Sequence, residues 1–103
     1  MNYTIEDLIS GIEKLPDNGK TDPRIGLQRL REYCIWAMDS MAPEDSFMDE
    51  QQKLRSTVWV IEQVTGSEPG FDRWLLFILR SKKSACANVL RKFSGKEKTR
   101  IAA

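Results

Sequence analysis

The chain has 103 residues, 41% hydrophobic and 30% charged, with a formal net charge of +1, which fits one soluble globular domain and leaves no room for a second. It contains 0 His, so mechanisms that need imidazole as base, proton shuttle or metal ligand are excluded. Its two cysteines, Cys34 and Cys86, cannot supply the four thiolates of a structural zinc or iron–sulfur centre.

The cysteines lie far apart in sequence and form no CxxC pair. Each sits in an apolar helical pattern, so buried free thiols in a reducing, cytoplasmic compartment are the expectation. Residues 1–6 lack a basic region followed by an apolar stretch, and no targeting segment is read there. The longest apolar run, residues 74–79, falls far short of the roughly 20 residues that span a bilayer.

Thr4 and Asp7 have the spacing of a capping box, and Ile5, Leu8, Ile9, Ile12 and Leu15 follow at helical intervals. Pro16 and the turn residues Asp17, Asn18 and Gly19 end this first helix near Leu15. Asp22 as N-cap and Pro23 at the first helical position open a second. Its stripe is Leu27, Leu30, Cys34, Ala37 and Met41, widened by Tyr33, Ile35, Trp36 and Met38. Pro43 marks its end.

Ser46 is the best N-cap for a third helix, with the acids Glu44, Asp45, Asp49 and Glu50 around its start. Phe47, Leu54, Val58, Ile61 and Val64 carry its apolar face, and Gly66 is expected to close it in a left-handed cap. Residues 57–61, TVWVI, also alternate like a short strand. The helical spacing is longer than an ordinary strand, so helix takes precedence.

After a turn at residues 67–70, a long fourth helix begins at Phe71, with Trp74, Leu75, Ile78, Ala85, Val89 and Phe93 on one side. A break at residues 81–84 would make 71–80 and 85–92 a helix-turn-helix. That reading is weak, since no glycine occupies the turn and Ala85, Cys86 and Ala87 suit close packing rather than base recognition. Gly95 is expected to end the helix. The chain therefore reads as an all-α, compact bundle of about four helices with short turns, folded over residues 1–93, with a basic tail at 94–103.

Charge is the clearest organisational signal. Residues 80–103 hold eight Lys or Arg against one acid, Glu97, a net +7, while residues 1–79 hold eight bases and fourteen acids, a net −6. Arg80, Lys82, Lys83, Arg91, Lys92, Lys96, Lys98 and Arg100 are thus the candidate contacts for a partner protein or nucleic acid. A bland alternative is that a last helix favours cations for its dipole and for solubility.

The three Trp residues, Trp36, Trp59 and Trp74, fall on three helices and are expected mainly in the core. One of them, with Met38, Met41 or Met48, would remain as a surface anchor. The acidic cluster Glu44, Asp45, Asp49 and Glu50 reads as helix-start acids, without calcium-loop spacing or a phosphate-binding loop. Asn2, Tyr3 and Thr4 match a glycosylation acceptor by chance.

With no catalytic constellation, no cofactor motif and no metal site, the expectation is a non-enzymatic regulator or inhibitor. Such a module would bind a larger protein with an acidic surface or a nucleic-acid-processing complex. The alternative is direct nucleic-acid binding through phosphate contacts of the basic helix. A third and remote reading is an enzyme using carboxylates or an oxygen-bound metal; separately, a symmetric homodimer would cover residues 33–41, which are apolar on several sides.

Overall fold

The structure, a computed structural model, describes residues 4–41, 47–66 and 72–102, the side chains of 72 and 97–102 excepted. Four helices make up an all-α bundle: α1 (Ile5–Glu13), α2 (Pro23–Ser40), α3 (Met48–Thr65) and α4 (Asp72–Ala102). No strand occurs among the described residues. None of these helices is long and apolar enough to cross a membrane.

Local chemistry sets the starts of α1 and α2. The Asp7 N–H donates to Thr4 Oγ1, and the Thr4 N–H donates to Asp7 Oδ2, both at 3.1 Å, so two otherwise orphaned donors are satisfied reciprocally. Asp22 Oδ1 accepts from the Arg24 N–H at 3.0 Å, with Pro23 at the first helical position. Between these helices Gly19 has φ +81°, a conformation that only glycine adopts at no steric cost.

Successive helices run antiparallel, and α2 and α4 lie side by side and parallel, with α1 and α3 packed on opposite flanks of that pair. Gly26 marks the close approach of α2 to α4: a Cβ there would lie 2.7 Å from Leu79 Cδ2. Leu8, Ile12, Leu27, Leu30, Leu54, Ile61, Leu75, Leu79, Leu90 and Phe93 fill the centre. Phe47 meets Phe93 edge-to-face at 4.8 Å and joins the start of α3 to the far half of α4.

The helix expected over residues 57–61 is present, whereas other expectations need correction. Residues 57–61 are helical: Thr57, Val58 and Ile61 face the core at helical spacing, and Thr57 Oγ1 donates to the Lys53 carbonyl one turn back at 3.0 Å. Tertiary burial of that face overrides the β-branched composition. Gly66 caps α3 with φ −82° and ψ 2°, not left-handed.

α4 is one uninterrupted helix of 31 residues, so there is no turn at residues 81–84 and no helix-turn-helix. It also continues through Gly95 to Ala102 where a tail was expected. A Cβ at Gly95 would meet nothing within 4 Å. That glycine is a modest helix penalty of about 1 kcal/mol rather than a stop. A helix this long, about 46 Å, sets the long axis of a molecule measuring 51 × 23 × 22 Å.

The N-cap of α3 is Phe47, with no side-chain cap bond, rather than Ser46; Ser46 itself, the Pro43 stop, the acids Glu44 and Asp45, the turn at 67–70 and the start at Phe71 lie outside the described residues. So do Asn2 and Tyr3.

Candidate interaction surface on the last helix

The basic residues of α4 do not converge on one face. Arg80, Lys83 and Arg91 turn toward α1 and the loop after it, while Lys92 and Lys96 turn toward α3. Lys98 and Arg100 lie on the helix with side chains outside the described residues. Lys82 is half-buried and pairs with no carboxylate among the described residues.

Most of these cations have work inside the fold. Lys83, only 11% exposed, donates to the Leu15 carbonyl at 2.7 Å and pairs with Asp17 at 3.1 Å. Arg80 Nε donates to the Asp17 carbonyl at 2.9 Å. α4 therefore supplies donors to two carbonyls of the loop that follows α1 and ties that loop to the bundle. Arg91 pairs with Glu13 at 2.7 Å. A cavity of about 260 Å³ between these helices is lined by Glu13 and Asp17 as well as Arg80, Lys83 and Arg91, so most of its positive charge is countered from within.

On the other flank Lys96 Nζ lies 2.7 Å from Glu50 Oε1, and Glu50 is 1% exposed. Burial by itself would raise the Glu50 carboxyl. The Lys96 ammonium, with Lys92 behind it, more than reverses that and holds the group below its ordinary value. Asp49 stays exposed at 3.1 Å from Lys53 and 3.9 Å from Lys92. The hydrogen bond and charge of Lys53 hold its carboxyl low as well. Among the described residues no group of three or more potential ligands is placed to hold a metal ion.

Aromatic placement departs most from expectation. Trp36 is half-buried against the core and meets Tyr33 edge-on at 5.5 Å, but Trp59 is 62% and Trp74 47% exposed. Phe77, which the sequence reading did not single out, is 66% exposed. Met48 is exposed on the outward side of α3, whereas Met41 is buried and Met38 half-buried. The observed core stripe of α4 is Leu75, Leu79, Cys86, Val89, Leu90 and Phe93. Of the expected stripe, Leu75, Val89 and Phe93 are buried and Ile78 is half-buried against the core, while Trp74 and Ala85 fall outside it.

Trp74 and Phe77 are one turn apart and share the outward side of α4. Arg73, one turn before Phe77, and Leu76 form one wall of a cleft of about 470 Å³, closed on its other side by Lys20 and residues 19–23. Ile25, at the start of α2, is also half-exposed at this end of the bundle. The signal for this face was present in the sequence. Leu75, Leu79, Cys86 and Leu90 keep helical register, and that register turns 74, 77, 81 and 88 outward.

No protein-family model, curated protein or solved structure matches this chain.

Proposed function

We propose that this protein acts by binding: it is a small helical module that docks on a larger protein or a nucleic-acid-processing complex and modulates or inhibits it. The supporting observation is the Trp74–Phe77 pair, two large aromatics on one helix face that contribute little to the core and are flanked by Arg73. Aromatic and Arg anchors of this kind supply most of the energy at protein interfaces. The fitting partner surface is an apolar pocket with acidic residues at its rim, and the +7 charge of residues 80–103 steers the encounter.

A photo-crosslinking side chain at position 77, introduced in the source cells, tests this. The expected result is a discrete adduct with one larger protein that disappears on Trp74→Ser. Adducts only with a second copy of the chain would replace the reading with self-association.

Nucleic-acid binding is the second reading, and the basic composition of α4 favours it. Arg80, Lys83, Arg91, Lys92 and Lys96 already engage the fold's own carbonyls or carboxylates. That leaves at most Lys82, Lys98 and Arg100 to contact phosphates without breaking such an internal contact. Titration of labelled duplex and single strands across a salt series should then give a shallow dependence, equivalent to about three phosphates rather than eight. A slope near eight would mean that the internal pairs break on binding and would make nucleic acid the primary ligand.

A further inference from the structure

We infer that Cys34 and Cys86 form a modification site: a dithiol that a hydroperoxide converts into an intramolecular disulfide joining α2 to α4. The thiols approach from parallel helices with Sγ to Sγ at 3.6 Å, a hydrogen-bonded contact. Both are free and buried, 0% and 1% exposed. Closing to the bond length of about 2.05 Å takes small side-chain rotations in a core that already holds the sulfurs together.

The two sulfurs are not equivalent. Lys82, one turn before Cys86 on α4, favours the Cys86 thiolate by its charge, against the burial that both thiols share. The hydrogen bond to Cys86 and burial push Cys34 up. With the Lys82 charge beside it, Cys86 is the attacking sulfur and Cys34 the resolving one.

The Cys86 thiolate attacks one peroxide oxygen, the O–O bond breaks, and the departing hydroxide takes a proton to leave as water, giving Cys86 sulfenic acid. Cys34 then attacks Cys86 Sγ, the S–O bond breaks, and a second water leaves with the Cys34 proton. Two electrons pass from the dithiol to the peroxide. A small neutral oxidant reaches the pair through transient local opening of the bundle. The resulting link constrains the unfolded chain, so the oxidised form is the more stable one.

Treating the full-length protein with hydrogen peroxide in native buffer tests this. The expected product is lighter by about 2 Da, maps by peptide mass spectrometry to Cys34–Cys86, and reverts with a dithiol reductant. It keeps its helicity and melts about 5 °C or more higher. Cys34→Ala should stop at a sulfenic acid on Cys86 that a 1,3-dione traps. Should that variant fail to fold, the wild-type peptide map decides alone. Exposed Met48 is the internal control for oxidant exposure. Thiols that stay free while Met48 oxidises, a disulfide between chains, or a link that forms only after urea unfolding would each overturn the inference.

Discussion

In the first turns of α4, Trp74 and Phe77 face solvent, whereas further along the same helix Lys83 and Lys96 are drawn onto the Leu15 carbonyl and the buried Glu50 carboxylate. The region richest in charge, where a sequence reading looks for a ligand, uses much of that charge to hold α1 and α3 in place. The apolar region, where the same reading looks for core, leaves two of its largest side chains outside. Residue type alone does not separate recognition from architecture. Helical register and the position of the opposite charge do.

Leu79→Ala against Phe77→Ala breaks this comparison most strongly, since the two positions lie on the same helix and on opposite sides of it. Leu79 is fully buried against Gly26, and its truncation should cost about 3 kcal/mol in urea unfolding. Phe77→Ala should stay within about 0.5 kcal/mol of wild type. Equal losses at both positions would place Phe77 in the folding core.

Next come the inward cations. Lys83→Met removes the donor to the Leu15 carbonyl and should cost about 2 kcal/mol, while Lys82→Met should be nearly neutral. Lys96→Met leaves Glu50 buried without its counter-ion. Because Lys96 is itself 38% exposed, the cost is discounted to about 1–2 kcal/mol.

The Glu50–Lys96 pair also carries a pH signature. The Glu50 carboxyl is held below its ordinary value in the folded state. Its contribution is therefore present above the unfolded value of about 4.3 and is lost as pH falls through the lower folded value. Urea midpoints of wild type and Glu50→Gln should differ at pH 6 and converge toward pH 3. A difference that grows in acid would reverse the sign of the account.

The smallest effect is expected at Arg91→Gln. Arg91 and Glu13 are both about half exposed at 2.7 Å, and such surface pairs contribute under about 1 kcal/mol. This ordering also affects how the basic region is probed. A combined change of Lys82, Lys83, Arg91 and Lys92 would weaken the fold mainly through Lys83, so Lys82, Lys98 and Arg100 form the cleaner set for binding.

The helices were legible because their signals are local. The Thr4–Asp7 box, the Asp22–Pro23 start and the stripe of Leu27, Leu30, Cys34, Ala37 and Met41 each lie within a few turns of chain, and each recurs in the structure. The apolar breadth of residues 33–41, which raised the idea of a dimer, is taken up within one chain by burial or half-burial. The end of α3 at Gly66 was legible, though not its cap geometry, whereas α4 runs on past Gly95, which permits a stop without enforcing one.

The basic site was the least legible. Whether Lys83 or Lys96 is available depends on Leu15 and Glu50, residues distant in sequence whose proximity only the fold creates. The outward aromatics were half legible. Register alone turns position 77 outward, but three Trp in a small chain argue for the core by composition. The neighbouring thiols were likewise invisible as a pair, although each was read correctly as buried and free.

On the proposed function the outward aromatics of α4, rather than its cations, carry recognition. The most direct test of this is crosslinking from position 77 in source cells, comparing Trp74→Ser with the combined Lys82→Gln, Lys98→Gln and Arg100→Gln change, both confirmed folded by their urea midpoints. The adduct should vanish with Trp74→Ser and persist, at lower yield, when the cations are removed. An adduct that survives Trp74→Ser and is abolished by the cation changes would contradict the claim.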